Sequence, residues 1–283
     1  GASGFLGSNL YKNLQSQSKF DIYGTYHNNK VDDKNMFYCD LTNIDCVFRL
    51  CNIINPTTII HCAGVAKPGH PDKNDLRNFL DQHILSTTNL LEVNKNIRFV
   101  YISSINIYGS TYPLERPTSL YGACKVSCES ICQAYSQLNN LQLSIIRPCS
   151  ICGQGSTHGL IHDMTKKITN NLPYVEALGS APGSSKPYVH IDDVINCVSK
   201  CINDKYEQET YDIFPKDSIN VQEVIEILMS KLGIHKQINW LGEQSTYKGD
   251  NKIINTSQWR TGLETDLKYK TSLEAIEAIF STN

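Results

Sequence analysis

The sequence predicts an α/β fold, a doubly wound parallel sheet followed by a small mixed C-terminal region, on three observations. Over the first two thirds of the 283 residues, apolar runs rich in Ile, Val and Tyr alternate with amphipathic stretches, the pattern of βαβ units that build parallel sheets. Three glycines, Gly1, Gly4 and Gly7, stand directly before the helix-like run from Ser8 to Leu14. After Pro148 the texture turns to Gly, Ser, Pro and polar residues, which ends the alternation and marks a second region.

In chain order, hydrophobic period and flanking turn residues predict strands at 21–26, 35–39, 57–62, 98–103 and 141–147, with helices at 8–16, 44–52, 74–94, 120–138 and 192–203. The runs 153–157 and 179–185 predict loops, and helices are expected near 221–232 and 272–280. Residues 1–150 are expected to form one domain, lacking a first strand that would lie outside the sequence. Residues 151–283 form mostly a second region, with 187–203 returning to the first core. Asp192 and Asp193, directly before an apolar helical run, predict a helix cap rather than a metal or acid-base pair.

A formal net charge of -2 supplies no basic field for nucleic acid, and no run of about 18 apolar residues suggests a membrane span. A protein acting on a small ligand is expected, with no metal site. The eleven cysteines are odd in number, and Cys39, Cys46, Cys51 and Cys62 lack the spacing of a zinc ribbon or a disulfide scaffold. A reducing cytoplasm follows as the expected location. Cys124, Cys128 and Cys132 recur every four residues, as do Cys197 and Cys201, placing these thiols on helix faces as small hydrophobes. Cys149 and Cys152 form a lone CxxC, which leaves redox chemistry open there.

Backbone amides at a helix start hold anions such as a pyrophosphate, and small residues let the ligand approach. Gly1 to Gly7 has that form, although three spaced glycines also make an ordinary loop. The strand at 21–26 runs into His27-Asn28-Asn29-Lys30, where an NAD site usually offers an Asp or Glu to the adenosine ribose. That acid is absent. His27, Asn28 and Lys30 can receive a 2′-phosphate, so both NAD and NADP stay open, as does a plain solvated loop.

Tyr121 and Lys125 lie four residues apart on a predicted helix, hence on one face. An ammonium beside the phenol, together with an oxidised nicotinamide, is expected to favour the phenolate and make Tyr121 a proton acceptor or donor. Upstream, the apolar strand Val100-Tyr101-Ile102 ends in Ser103 and Ser104, where open α/β sheets bind ligands. Ser104 can hydrogen-bond a reacting oxygen there, or merely cap the strand end.

With these pieces in order, the chain resembles the extended short-chain dehydrogenase/reductase family, whose best-known members are nucleotide-sugar epimerases. The resemblance rests on Gly1 to Gly7, Asp40-Leu41, Ile59 to Gly64, Ser104 to Gly109, Tyr121 to Lys125, Arg147-Pro148 and Tyr188 to Asp193. It implies a Rossmann-type domain and a Ser104, Tyr121, Lys125 catalytic group. It also implies that Phe5 and Leu6 lie on the cofactor pyrophosphate, that Asp40 and Leu41 bracket the adenine, and that Cys62, Ala63 and Gly64 run under the dinucleotide. Lys125 and Pro148 join that cofactor set. Ser150 stands where many sugar epimerases carry Asn, and His83 where an Asn often serves the cofactor. Lys186 matches an Arg that clamps the diphosphate of the sugar nucleotide, and Lys248 a second one. The activity implied is 4-epimerisation of a nucleoside-diphosphate sugar. Two alternatives are NADPH-dependent reduction of a 4-keto sugar and a nucleotide-sensing subunit without turnover. A dehydratase fits less well, because Ile105-Asn106 replaces the Asp-Glu pair of similar dehydratases. A homodimer through the helix at 120–138 is a family-level implication.

Overall fold

The structure, a computed structural model, describes residues 1–65, 75–109, 114–203, 210–242 and 269–281. The chain divides into two compact units, one of residues 1–148 and 195–212 and another of residues 149–194 and 213–283.

In the first unit, helix α1 (Phe5–Ser16) precedes the parallel pair β1 (Gly24–Tyr26) and β2 (Met36–Tyr38), which align Gly24 with Met36. Helix α2 (Ile44–Ile54) follows, its first turn held by the Asn43 side chain accepting from the Cys46 amide. Strand β3 (Thr58–His61), helices α3 (Leu76–Leu80) and α4 (Ser86–Glu92), β4 (Arg98–Ile102), helix α5 (Leu120–Leu138) and β5 (Gln142–Pro148) complete the run. β3, β4 and β5 are parallel neighbours, with Arg98 opposite both Thr58 and Gln142. β10 (Thr210–Ile213) lies on the other side of β5, giving the order β10-β5-β4-β3.

The interior of β4 shows why it is central. Phe99, Val100 and Tyr101 are all buried, as expected for a parallel strand covered on both faces. Phe99 and Tyr101 pack with Leu91, Leu141, Ile145 and the thiols of Cys128 and Cys132. The four-residue cysteine period therefore places apolar knobs in a core.

Helix 74–94 differs from its expected form. A π-turn, Asp81–Leu85, separates α3 from α4, so the face of the helix is rotated by an extra residue at His83. A hydrophobic period averages over such a turn and does not reveal it.

The second unit holds β6 (Ser150–Cys152), α6 (Leu160–Thr169), β7 (Tyr174–Ala177), β8 (Ser185–Lys186), β9 (Tyr188–His190) and the start of α7 (Ile191–Asn203). It continues with β11 (Ile219–Asn220), α8 (Val221–Leu232), β12 (Gln237–Trp240) and α9 (Ser272–Glu277). Its strands form three two-stranded sheets, β6 with β9 and β7 with β12 in parallel, and β8 with β11 antiparallel. Val175, Val224, Ile225, Leu228 and Ile276 lie in its own core. Helices α8 and α9 both begin with a capping box, Asn220 with Glu223 and Thr271 with Glu274.

The Asp192-Asp193 cap is corrected. His190 supplies the acceptor, its Nδ1 receiving the Asp192 amide at 3.3 Å, while Asp193 accepts from the Lys270 amide at 3.2 Å. The imidazole lies beside the free amide, with the Asp192 carboxylate 3.2 Å from the same Nδ1, so neither carboxylate is the cap.

Candidate active site

The turn from Gly1 to Gly7 is built by close approach. A Cβ on Gly7 would stand 2.1 Å from the Gly1 carbonyl oxygen, and one on Gly1 would stand 2.6 Å from the Ala63 amide nitrogen. Gly7 lets α1 close onto the turn at Gly1, and Gly1 lets that turn meet the segment after β3. Gly4 is different: it is exposed, and its Cβ would reach only the Gly1 oxygen at 3.4 Å. Gly4 is also the N-cap of α1; among the described residues no side chain caps that helix start, and its first turn holds no acid. Phe5 and Leu6 open the helix. Their amides and the helix dipole thus suit an anion, so the residues present fit the pyrophosphate of a dinucleotide.

The neighbouring candidates follow in space. Ala2 donates its amide to the Thr25 carbonyl at 2.9 Å, tying the turn to β1. His27 and Asn28, just past β1, are exposed, and the His27 ring lies 5.9 Å from that of Tyr38. Asp40 accepts from the Thr42 amide at 2.9 Å and its hydroxyl at 2.7 Å. Burial works to raise its carboxyl pKa, but these Thr42 bonds and His27 outweigh it and hold the group below its ordinary value. Leu41 is pinned by Asn89, which donates to its carbonyl at 2.9 Å. Cys62, Ala63 and Gly64 form the segment after β3, where burial pushes the Cys62 thiol up to about 11.

Ser104 ends the β4 segment in an extended conformation, and its hydroxyl accepts from the Asn106 amide at 3.2 Å, capping the short 3₁₀ turn Ile105–Ile107. α5 starts from its own cap, the Ser119 hydroxyl accepting from Gly122 at 3.1 Å. A Cβ on Gly122 would lie 2.4 Å from the Asn106 carbonyl oxygen. Only a glycine lets the helix close onto the turn behind Ser104, which brings Tyr121 close enough for the Ser104 side chain to act on its phenol.

Lys125 is buried and donates to the Ile102 carbonyl at 2.7 Å, and its Nζ stands 5.8 Å from the centre of the Tyr121 ring. Its pKa is lowered by burial. In the protein alone burial pushes Tyr121 up to about 12, and the Ser104 side chain opposes that rise; the expected phenolate belongs to the complex with an oxidised nicotinamide. The ammonium donates to the Ile102 carbonyl and stands off the Tyr121 ring.

His83 meets the edge of the Tyr121 ring at a centroid distance of 5.6 Å. Burial first, and then the Lys125 charge, push it down to about 4, although its bond to the Val65 carbonyl works upward. It is therefore neutral at pH 7, with Nε2 donating to that carbonyl at 3.1 Å. Pro148 is buried at the end of β5.

Ser150 and Lys186 belong to the second unit. Ser150 pairs in register with Tyr188, and Lys186 Nζ lies 5.3 Å from the centre of the Tyr188 ring. Lys248 lies outside the described residues. The Cys149-Cys152 pair is buried, and burial pushes both thiols up, Cys152 to about 12. That disfavours the thiolate a redox pair needs.

Sequence reasoning overlooked Gly122, whose role depends on a loop 16 residues upstream, and Glu129, treated below. Glu129 carried one signal, the repetition of the four-residue step from Tyr121 through Lys125.

The chain is similar to curated proteins over most of its length. "Protein CapI" of Staphylococcus aureus is 22% identical, with 86% of this chain and 85% of that protein covered. A UDP-glucuronate 4-epimerase of Thermodesulfobacterium geofontis is 23% identical over 89% of this chain and 84% of its own. Among solved structures, UDP-glucuronic acid 4-epimerase from Bacillus cereus, in complex with UDP-glucuronic acid and NAD, superposes with a TM-score of 0.80. The two share 21% identity, and 99% of this chain and 96% of that one are covered. This likeness extends to the Rossmann-type α/β fold. The family model described as "NAD dependent epimerase/dehydratase family" matches residues 1–214, and the chain belongs to that family.

Proposed function

We propose that this protein is a nucleotide-sugar 4-epimerase working through a transient 4-keto intermediate on a UDP-linked sugar. The observation that carries the reading is the juxtaposition of Ser104, Tyr121 and Lys125: a hydroxyl at a strand end, beside a phenol that shares a helix face with a buried ammonium. A sensing subunit needs no such trio, and relatives named as UDP-glucuronate and UDP-glucose 4-epimerases support the substrate class.

Gly1, Gly4, Phe5, Leu6 and Gly7 would hold the pyrophosphate of NAD, with Asp40, Leu41, Cys62, Ala63, Gly64, Lys125 and Pro148 along the rest of the dinucleotide. NAD held there would supply the hydride acceptor for the sugar carbon and, once the keto intermediate has turned, the hydride donor to its opposite face. Tyr121 takes the proton of the sugar hydroxyl as the carbonyl forms and gives it back as the hydroxyl is restored. Ser104 hydrogen-bonds that oxygen, with its partner charge developing in a site shielded from water. Lys125 supplies a fixed positive charge beside the phenol. Its effect on the Tyr121 proton would add to that of an oxidised nicotinamide, and both would oppose the upward pull of burial.

The first unit is thus the cofactor domain. In the second unit, Ser150 and Lys186, with Lys248, are assigned to the nucleotide sugar, a lysine giving charge to the diphosphate without the bidentate fork of an arginine. Among the described residues no helix is long and apolar enough to cross a membrane. The reducing cytoplasm is assigned from the eleven cysteines, all free thiols. The homodimer implied by the family would use α5, and light scattering measures it.

One observation favours a second reading, NADPH-dependent reduction of a 4-keto sugar: no carboxylate follows β1 in His27-Asn28-Asn29-Lys30. Denaturing the purified protein and identifying the released nucleotide by mass spectrometry separates the two. Retained NAD, with interconversion of UDP-glucuronate or UDP-glucose and its 4-epimer, is the expected result. An empty site that consumes NADPH with a 4-keto sugar overturns it.

A further inference from the structure

Tyr121, Lys125 and Glu129 follow at intervals of four along α5 and share one flank. Each meets the last residues of the β4 segment: Tyr121 the Ser104 side chain, Lys125 the Ile102 carbonyl, and Glu129 the Ser103 hydroxyl, which donates to its Oε1. Glu129 is 3% exposed and Arg147, on β5, is 8% exposed. Arg147 donates through Nε to Glu129 Oε1 at 3.0 Å and Oε2 at 3.1 Å, and through Nη2 to Oε2 as well.

The guanidinium reaches further. Its Nη1 donates to the Tyr108 hydroxyl at 2.5 Å, and that hydroxyl donates to both Asp212 oxygens, at 2.8 and 2.9 Å. Its Nη2 also donates to Glu115 at 2.6 Å. Tyr108 closes the 3₁₀ turn that Ser104 opens. One carboxylate therefore joins α5 to both β4 and β5, and its cation joins β5 to the turn behind Ser104. Burying an ion pair contributes little net stability, because desolvation offsets the attraction, whereas each satisfied bond specifies geometry.

We propose that Glu129, clamped by Ser103 and Arg147, is a positioning residue that sets the register of α5 against β4, and so the placement of the Tyr121 phenol relative to Ser104. The inference rests on the catalytic reading of that pair. A reacting geometry displaced by about 1 Å loses about a hundredfold in rate. A partial loosening therefore lowers turnover without touching ligand affinity.

The test uses Ser103→Ala, which deletes the strand-side hydroxyl and leaves the buried ion pair closed, beside Glu129→Gln, which strands the Arg147 charge. Ser103→Ala is expected to lower kcat about tenfold, with KM for UDP-glucuronate or UDP-glucose and the affinity for NAD changed by less than about twofold. Ser103→Thr restores kcat. A second measurement needs no substrate: with 3-fluorotyrosine incorporated, the Tyr121 fluorine resonance is identified by its loss in Tyr121→Phe. Its shift or broadening in Ser103→Ala is expected, and the folded Ser103→Ala protein carries the test even where Glu129→Gln fails to fold. A Tyr121 resonance unmoved in Ser103→Ala overturns the proposal whatever the rates do. An active wild type whose kcat is unaltered by Ser103→Ala overturns it too. An inactive wild type overturns the catalytic reading alone, and the fluorine signal still decides the position of the phenol.

Discussion

Helices α1 and α5 belong to the same unit and serve the candidate site in opposite ways. α1 offers its end: Gly4 caps it without a side chain, and no acid occupies its first turn. α5 closes its end with Ser119 and offers its flank, where Tyr121, Lys125 and Glu129 line up. A helix end presents free amides and a partial positive charge, suited to holding an anion, whereas a flank presents side chains at fixed spacing, suited to moving a proton. The difference separates binding from chemistry, and substitutions can test whether the separation holds.

The largest effect is expected on the flank. Tyr121→Phe keeps the ring that packs against His83 and removes only the transferable proton. Turnover should fall by about a hundredfold or more, while NAD affinity measured by calorimetry and the thermal midpoint stay near wild type. A folded Tyr121→Phe protein with near-normal turnover would remove the chemistry from α5.

At the end of α1, two glycines should behave differently. Gly7→Ala forces a Cβ toward a backbone oxygen 2.1 Å away, and overpacking of this kind costs about 1–3 kcal/mol. Both the thermal midpoint and NAD affinity should drop. Gly4→Ala meets no such obstacle within the protein, so its midpoint should hold and only NAD binding should weaken. Equal midpoints for the two variants would show that the turn relaxes and that the glycine spacing is not set by close approach.

A smaller effect is expected where α5 is capped. Ser119→Ala leaves the Gly122 amide without its acceptor and should cost about 1 kcal/mol of stability. Chemical denaturation measures it, and NAD affinity should not change. Should NAD binding weaken as much as stability, the end of α5 would be part of the binding site after all.

The end of α1 was legible in the sequence because its signals are local: glycine spacing and a helical run stand side by side. Tyr121 and Lys125 were legible for the same reason, being one turn apart. What escaped was set by contacts distant in sequence. The Gly122 approach to Asn106, the Glu129 bonds to Ser103 and Arg147, and the Tyr108 bond to Asp212 each depend on how strands align. The π-turn at His83 escaped because it changes a backbone hydrogen-bond pattern without changing the apolar period much. The upward shift of Tyr121 in the protein alone was out of reach because the sequence shows which charges are near in the chain, but not how deeply the phenol is buried or where Lys125 donates. The short strands β6, β7 and β8 were not read because they lie among Gly, Ser, Pro and polar residues, without the longer apolar runs that flagged β1 to β3.

The smallest effect concerns the cofactor's far end, opposite in character to both helices. His27 and Asn28 are exposed, and Asp40, the nearest acid in the candidate cofactor set, is engaged by Thr42. No carboxylate in His27-Asn28-Asn29-Lys30 repels a 2′-phosphate, and Lys30 adds a positive charge. NADP should therefore bind with an affinity comparable to that of NAD. Asn28→Asp places a negative charge in this segment, which accepts from ribose hydroxyls and opposes a phosphate. Because the group is exposed, solvent and salt screen it, and the preference should move toward NAD by only about fivefold, about 1 kcal/mol. Calorimetric titration of both cofactors into wild type and Asn28→Asp measures the shift. Strong NAD preference in the wild type, or an unmoved ratio in the variant, would place the discrimination elsewhere along the dinucleotide and leave the segment after β1 as a solvated loop.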